Sequence, residues 1–415
     1  MSKETIFQSD YYDFNKNDNA MENKHYFLSE ELLVPRANNS DTQRLNMFSN
    51  HINQFVHLKT PEYPKVFTNF ENQVGEYSIA YKKAEDDFEV LKKIVKNKYN
   101  YDLIVRYKAT GIYDILHFRH AVNITEDYGY ALNDSLADVE IGDTVKKDEY
   151  IYKSDNYDDD GNFRYGVNLK AVYLAWKGYT YEDGIVISQS AADKLTSYKV
   201  EKTSFAINSN DVLLNLYGDS EKYKSVPRVG DHIDSKTLTA IRRRNKFSVL
   251  YDFQNHRMRE IDPVTDDVIY TSGGTVVDIN IFNNITLADM KKKTDEFNGE
   301  IVDLLEDQYR YWRELAEALE EIIPCRQLTE KEEAEERAEY GHVIKHAVLR
   351  ENNPNKYTDE LGYYWKLSHE NIDDKIQWRY DGKSFENFKI EFTILKENPL
   401  TPGCKLTGRL IFSCR

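Results

Sequence analysis

Cysteine is scarce in this sequence of 415 residues, and long apolar runs are absent. The cysteines Cys325, Cys404 and Cys414 are too few and too scattered for a disulfide framework or a zinc site. No segment approaches the run of about 18 apolar residues that a membrane-spanning helix needs. The N-terminus, MSKETIFQSDYYDFNKNDN, is polar and acidic and lacks the apolar stretch of a signal peptide. We therefore expect a soluble intracellular protein with no membrane contact.

Basic residues are outnumbered: 55 lysines and arginines stand against 71 acidic residues, which gives a formal net charge of -16. Binding to a nucleic-acid backbone relies on lysine and arginine, so this balance argues against a protein that wraps nucleic acid by itself. It does not exclude a subunit that adds a few basic groups to a site built largely by others. A glycine-rich phosphate loop and a G-x-S-x-G nucleophile elbow are also missing.

The sequence is 40% hydrophobic, which is enough apolar material for two or three packed cores. The first forty residues are polar and rich in asparagine, and we interpret them as an irregular lead-in. The segment Asp86 to Lys98 predicts a helix, because Phe88, Leu91 and Ile94 share one helical stripe.

Strand-like patterns follow from Tyr101 to Lys202, and a second β-rich stretch runs from Lys202 to Phe282. Turn signals such as Asp160-Gly161 and Gly273-Gly274 separate the apolar runs. The predicted strands lie in YDLIVRYKATGIYDILHF, EYIYKS, NLKAVYLAW, GIVIS, KFSVLYDF, VIYTS, GTVVDINIF and, near the end of the sequence, FKIEFTIL.

Between these strands the periodicity becomes helical. Seven residues spaced 4-3-4-3-4-3 predict one face of an amphipathic helix that ends at Pro324. Thr329 and Glu332 form a capping-box pattern that begins a second helix, which runs to about Arg350. The two helices predict an antiparallel hairpin that protrudes from a β domain. The seven residues are Ile301, Leu305, Gln308, Trp312, Leu315, Leu319 and Ile322.

Two adjacent carboxylates, Glu182 and Asp183, stand in the stretch NLKAVYLAWKGYTYEDGIVIS, just before an apolar run. Adjacent acids repel one another unless a positive group satisfies them. A divalent cation with bound phosphate oxygens is a natural partner, since magnesium usually takes one or two carboxylates plus substrate phosphates. Taken alone, an acid pair in a turn is more commonly a solvated surface, so the functional interpretation depends on the surrounding residues.

The surrounding residues resemble the active-site segment of the β (second-largest) subunit of multisubunit DNA-dependent RNA polymerases, W-x-G-Y-N-F-E-D-A-I-x-I-S. The stretches IGDTVKKDEYIYKS and YGVNLKAVYLAW just before it are similar to the family's G-D-x-V-x-K-G-D and G-x-N-x-x-V-A segments. The residues in step with the active-site segment are Trp176, Gly178, Tyr179, Glu182, Asp183, Ile185, Ile187 and Ser188.

Three weaker resemblances occur in the family's order. DTQRLNMFSNHINQ is similar to D-A-N-R-A-L-M-G-S-N-M-Q-R-Q, and YDILHFRHAVNITED is similar to the stretch that holds R-S-N-Q. PGCKLTGR resembles the start of G-D-K-x-x-G-R-H-G-N-K-G, with Cys404 in place of the aspartate. The matching residues are Arg44, Ser49, Asn50, Gln54, Arg119, Gly403, Lys405, Gly408 and Arg409.

The resemblance implies a mixed α+β, β-rich fold: part of a double-psi β-barrel with an inserted flap-like β domain and a helical hairpin. The implied regions are a lead-in (1–40), a fork- or lobe-like region near the active site (41–138), the first part of the barrel (139–202), the flap-like domain (203–283), the hairpin (284–352) and the return to the barrel (353–415).

The resemblance also implies roles for individual residues. In the family, the largest subunit holds the catalytic magnesium on an aspartate triad that we do not find in this sequence, and the β chain helps to hold the incoming nucleotide. Glu182 and Asp183 would act on the nucleotide-bound magnesium through water, and Lys405 would lie near the RNA 3′ end and the reacting phosphates. The residues implied to contact nucleotide or RNA are Arg44, Asn50, Gln54 and Arg409.

The implied enzyme is a DNA-directed RNA polymerase that works only as a multisubunit complex on a DNA template, nucleoside triphosphates and an RNA product. Expected partners are the remaining β-subunit fragments, a β′-type subunit or its fragments, and a promoter-specificity factor. The sequence ends at LIFSCR, before the histidine and second lysine of the last motif. Such an end is similar to the split subunits of giant-bacteriophage polymerases, which implies the cytoplasm of a bacterial host or packaging in a virion. An interrupted gene would leave the same end.

Two other classes of function compete with this hypothesis: a polymerase-derived structural or regulatory subunit without a catalytic role, and an unrelated β-rich binding protein. The retained charged residues argue against the first, and the ordered matches argue against the second.

Three further patterns have simpler explanations. His342 and His346 share a helix face without a third metal ligand, so a surface pair is favoured. The calcium-like run from Asn156 to Gly161 is interpreted as a hairpin turn, because Val167 stands where a calcium loop needs glutamate. Arg242 to Arg244 are interpreted as a solvated loop rather than a nucleic-acid contact.

Overall fold

The computed structural model describes residues 31–35, 37–76, 78–124, 128–181, 184–208, 211–218, 223–234, 236–244, 264–284, 299–323, 328–340, 356–372 and 388–406. The α-helices are α1 (Thr42–Asn53), α2 (Glu71–Glu76), α3 (Gln189–Lys194), α4 (Gly299–Ile322), α5 (Glu330–Tyr340) and α6 (Asp359–Ile372). The strands are β1 (Tyr81–Lys83), β2 (Phe88–Asn97), β3 (Asn100–Tyr107), β4 (Tyr113–Arg119), β5 (Ala121–Asn123), β6 (Gly129–Ala131), β7 (Asn133–Asp134), β8 (Thr144–Val145), β9 (Tyr150–Lys153), β10 (Ser197–Ile207), β11 (Val212–Leu213), β12 (Tyr217–Gly218), β13 (Tyr223–Lys224), β14 (His232–Ile233), β15 (Thr237–Arg244), β16 (Val264–Tyr270), β17 (Gly274–Asn283) and β18 (Phe388–Asn398). The predicted mixed α+β, β-rich class is confirmed. Within these ranges, none of the helices has the length and apolar character needed to cross a membrane.

The sheet β4-β3-β2-β8 is covered on both faces. On β3, Tyr101, Leu103 and Val105 face a first core shared with the sheet β1-β9-β7. The alternate residue Ile104 faces a second layer, where Leu315 of α4 packs with α6. Because side chains of a strand alternate between faces, a strand buried on both sides has the nearly continuous apolar sequence seen here. The predicted strands β3, β4 and β9 are confirmed.

The predicted helix over Asp86 to Lys98 is wrong, because these residues form β2. A β-bulge at Leu91 shifts the register between the pair Val90–Val105 and the pair Lys92–Ile104. The extra residue changes which side chains share a face, so Phe88 faces the first core and Ile94 faces α4. The three-residue spacing of Phe88, Leu91 and Ile94 therefore arises in a bulged strand that lies between two layers, and not on one face of a helix.

The sheet β10-β18-β17-β14 holds a separate core. Strand β18 lies between β10 and β17 and pairs with β10 along its whole length, from Asn398–Ser197 to Phe388–Ile207. Its alternate residues Ile390 and Ile394 are fully buried. The predicted strands at FKIEFTIL, VIYTS and GTVVDINIF are thus confirmed, whereas KFSVLYDF lies outside the described residues.

Two other predicted strands are wrong. The stretch NLKAVYLAW and the residues GIVIS have no regular secondary structure. A strand is stabilised by a neighbour that pairs with its backbone, and no described strand pairs with either stretch. Their apolar side chains are largely exposed to solvent: Val172 is 78% exposed and Ile185 is 63% exposed. The apolar pattern of these two stretches therefore does not correspond to a paired strand among the described residues.

Helix α4 forms as predicted, and its apolar face packs against two different cores. Ile301 and Leu305 pack on the β10-β18-β17 sheet, while Leu315 and Leu319 pack on β2 and α6. Helix α5 begins at the predicted capping box, in which the backbone N–H of Thr329 donates to Glu332 at 2.8 Å. The connection at 324–327 and residues 341–350 lie outside the described residues, so the hairpin stays a prediction.

His57 should make the stability of the first core pH-dependent. Its ring stacks on Tyr130 with centroids 4.7 Å apart, and burial lowers its pKa to about 4. The unfolded chain binds the proton near pH 6.5 and the folded chain does not, so the free energy of unfolding should fall by on the order of 2 kcal/mol as pH drops from 6.5 to 4. Urea titrations at pH 7 and pH 4.5 measure this loss. It should shrink in His57→Gln and persist in His232→Gln, a control whose side chain is 63% exposed.

Candidate functional site

Helix α1 and the residue that caps its end, Gln54, present three of the predicted contact residues. The buried side of the helix carries Leu45 and Ser49, and Leu45 packs with Val34 and Ala37, which precede the helix. Arg44, Asn50 and Gln54 lie away from that side and are exposed. The helix therefore fixes the backbone of these residues and leaves their side chains available to a ligand.

The segment after α1 joins both flanks of the acid pair. Glu62 accepts hydrogen bonds from the backbone N–H of Asn168 at 3.0 Å and from its side-chain amide at 3.1 Å. Lys194, at the end of α3, donates to the other oxygen of Glu62 at 2.9 Å. Asn168 precedes Glu182 and Asp183, and Lys194 follows them. We call Glu62, Asn168 and Lys194 the Glu62 junction, and we include Lys59, whose contacts are described below.

The hydrogen bond from Lys194 and those from Asn168 lower the pKa of Glu62 to about 2. Glu62 is therefore ionised at neutral pH, and one carboxylate holds partners from two separate segments. The backbone supports the same arrangement, because the N–H of Glu62 donates to the carbonyl of Gly166 at 2.7 Å.

The strand that leads to Lys405 also reaches this junction. The N–H of Lys59 donates to the carbonyl of Thr196 at 2.9 Å, and its ammonium group pairs with Glu397 of β18. Lys405 follows the end of β18 by seven residues, so it lies at most about 25 Å from Asn398. A turn closed by the N–H of Cys404 on Thr401 carries the chain to it, and both Cys404 and Lys405 are exposed.

Glu182, Asp183 and Arg409 lie outside the described residues, as do His342 and His346. Within the described ranges, no group of three or more histidine, cysteine, aspartate or glutamate residues could hold a metal ion. The structure thus joins the stretch that follows α1 to residues on both sides of the acid pair and to the end of β18. It shows no contact between Arg44 and Lys405.

Several residues that resemble the family's motifs have structural roles. Ser188 caps α3, since its hydroxyl accepts from the N–H of Ala191 at 3.3 Å. Arg119 lies 2.7 Å from the buried carboxylate of Asp102 and contacts carbonyl groups of Tyr101 and Phe118. The described contacts of these two residues therefore belong to the scaffold.

The arginine run at 242–244 lies on β15, so the prediction of a loop is wrong. Arg242 pairs with Asp266 at 2.8 Å, and Arg243 pairs with Asp211 at 2.6 Å. Cross-strand acids thus neutralise both arginines, whose sequence pattern did not show these partners. The predicted hairpin turn at 156–161 is confirmed: Asp158 accepts from the N–H groups of Asp160 and Asn162.

Sequence inspection missed Glu62 and Lys194. Asn168 belongs to the G-x-N segment of the resemblance, which was a usable signal. Glu62 carries no local signal, because its partners are 106 and 132 residues away along the chain.

Comparison with known proteins gives the class of this β-rich chain: it is distantly homologous to bacterial RNA polymerase β subunits. The DNA-directed RNA polymerase subunit beta of Streptococcus pyogenes serotype M1 is 26% identical over 198 residues, which are 48% of this chain and 16% of that protein. The corresponding subunit of Synechococcus elongatus is 29% identical over 212 residues, 48% of this chain and 17% of that protein. The chain therefore spans about a sixth of the length of these relatives. No family model matches it.

Proposed function

We propose that this chain is a fragment of the β-type subunit of a multisubunit DNA-dependent RNA polymerase. It would help to bind the nucleoside triphosphate, its magnesium and the RNA 3′ end during template-directed RNA synthesis. The observation that carries the proposal is the Glu62 junction, in which the stretch after α1 bonds to residues on both sides of the acid pair and to the end of β18. The distant homology to β subunits supports it.

The proposed chemistry needs positioning and charge neutralisation more than covalent help, as phosphoryl transfer generally does. The carboxylates of Glu182 and Asp183 fit magnesium, which when bound would neutralise charge on the triphosphate. Arg44 can grip phosphate in two places, whereas Lys405 acts as a point charge. This chain then needs no general base of its own.

Exposed apolar side chains support the need for partners. Between residues 169 and 186, nine large apolar side chains are 44–82% exposed, although soluble monomers rarely expose a large contiguous apolar patch. A further β-type fragment that pairs with this segment would cover them and complete the proposed double-psi barrel. The nine are Leu169, Val172, Tyr173, Leu174, Trp176, Tyr179, Tyr181, Ile185 and Val186.

The partners proposed are those implied by the sequence: remaining β fragments, a β′-type subunit or its fragments, and a promoter-specificity factor, in the cytoplasm of a bacterial host. The alternative is a polymerase-derived structural or regulatory subunit. It is favoured by Cys404, an exposed thiol where the family's motif has an aspartate.

Purification from the native source in mild salt, followed by mass spectrometry of co-eluting chains, tests the proposal. We expect a chain with the G-N-K-G end, a chain with an aspartate-triad motif, and RNA synthesis in the same fraction. A complex that holds both chains but keeps full activity when Glu182 and Asp183 are neutralised supports the structural alternative. Elution of the native chain as a folded monomer contradicts both.

A further inference from the structure

The loop that leads into the acid pair is closed by one hydroxyl group. Thr180 Oγ1 donates to the carbonyl of Leu174 at 2.5 Å and accepts from the backbone N–H of Trp176 at 2.8 Å. The N–H of Tyr179 donates to the carbonyl of Trp176 at 2.9 Å and tightens the same turn. A single side chain therefore satisfies a donor and an acceptor of the backbone.

Among the described residues of this loop, the large aromatic side chains are mostly exposed. Trp176, Tyr179 and Tyr181 are 48%, 72% and 77% exposed, so packing contributes little to its shape. Lys177 and Gly178 have φ of 49° and 83°, the left-handed conformation that a side chain disfavours. An exposed turn with a left-handed lysine needs a specific restraint, and the hydroxyl of Thr180 provides one.

Gly184 shows that the two arms of the loop approach closely. A Cβ atom at this position would lie 2.1 Å from the carbonyl oxygen of Tyr179, far inside contact distance. Thr180 and Gly184 are also two positions at which the sequence departs from the W-x-G-Y-N-F-E-D-A-I-x-I-S pattern, where asparagine and alanine stand. The loop closure in this chain therefore depends on its own pair of residues.

We propose that Thr180 is a positioning residue that holds the loop in the shape in which the acid pair engages magnesium-bound nucleotide. The inference rests on the proposed function. The hydroxyl of Thr180 bonds to backbone groups, so it would act through the backbone that leads to Glu182 rather than on nucleotide or metal. Removal of the hydroxyl would leave the engaging conformation less populated, and the apparent affinity for nucleotide falls by that fraction.

The test compares Thr180→Val, which removes the hydroxyl and keeps the shape, with Thr180→Ser, which keeps the hydroxyl. In the co-purified polymerase complex, Thr180→Val should raise KM for magnesium-bound nucleotide roughly tenfold, since two hydrogen bonds are lost, with kcat changed much less. Thr180→Ser should stay close to wild type, and Gly184→Ala should show the same rise in KM as Thr180→Val.

A second measurement needs no activity. In the full-length chain, the Trp176 amide donates to Thr180, so its hydrogen exchange should accelerate about tenfold in Thr180→Val and remain slow in Thr180→Ser. The Thr180 proposal fails if exchange accelerates while KM stays constant, or if the serine variant is impaired as much as the valine variant. A native complex without polymerase activity overturns the proposed function instead.

Discussion

Replacing Asp102 with alanine should lower the free energy of unfolding by about 3–5 kcal/mol, the usual cost of removing one partner from a buried ion pair. The Asp102 side chain is fully buried between the β4-β3-β2 sheet and the helices α4 and α6. It accepts from Nδ1 of His117 at 2.7 Å, lies 2.7 Å from Arg119, and accepts from the hydroxyl of Tyr311 on α4. The variant leaves three donors without this acceptor, and the hydroxyl of Tyr311 among them is buried.

The charge state of Asp102 decides the size of this effect. Burial alone would raise its pKa, but the hydrogen bond from His117 and the charge of Arg119 outweigh burial and hold the pKa below its usual range. The carboxylate is therefore ionised, and its stabilisation is complete above about pH 4 and is lost as pH falls through the lowered folded pKa. Asp102→Asn, which keeps the shape and removes the charge, should also destabilise the chain at pH 7.

Urea unfolding followed by tryptophan fluorescence measures the loss, because Trp365 lies in this core and is 1% exposed. Glu321→Ala is the matched control: Glu321 pairs with Lys92 across the same sheet–helix boundary at 3.2 Å, but both side chains are exposed. Such exposed pairs contribute about 0–1 kcal/mol. Equal destabilisation by the two variants would show that Asp102 is not the electrostatic centre of this interface.

The sequence predicted an element correctly where a short-range pattern of residues determined its secondary structure. Helix α4 and the capping box of α5 were predicted correctly, since their signals repeat within one or two turns. Strand β2 was predicted as a helix because a bulge, visible only in its pairing with β3, shifts the positions of its apolar residues. Local patterns do not show which neighbour a strand will meet.

Residues of the candidate site could likewise be predicted only where a local sequence motif marked them. Arg44, Asn50 and Gln54 were identified from a linear motif, and the structure leaves all three exposed on α1 or at its C-terminal cap. Glu62 could not be found, because its role depends on contacts with segments more than 100 residues away. Arg119 was selected as a motif residue and proved to belong to the buried Asp102 cluster. A matching residue type thus does not by itself distinguish a ligand contact from a scaffold contact.

Neutralising the acid pair should have the largest effect on activity. In the co-purified complex, Glu182→Gln or Asp183→Asn should each slow nucleotide addition about a hundredfold, which is the usual cost of losing one well-placed electrostatic group at a reacting phosphate. Both substitutions keep the side-chain size, so a loss of rate reports the charge. If the carboxylates act on nucleotide-bound magnesium, raising the magnesium concentration should recover part of the rate, because weakened binding responds to mass action.

The chain offers a matched control for this pair. Asp159 and Asp160 are also adjacent acids in an exposed turn, and Asp159 pairs with Lys153. Neutralising both should leave the rate of nucleotide addition unchanged, because this turn belongs to the 156–161 hairpin and to none of the matched motifs. A rate that falls equally in both pairs would point to a general charge effect. A rate that is unchanged by Glu182→Gln and Asp183→Asn, in a complex that still makes RNA, would mean that the acid pair is a solvated turn and that the chain serves the polymerase structurally.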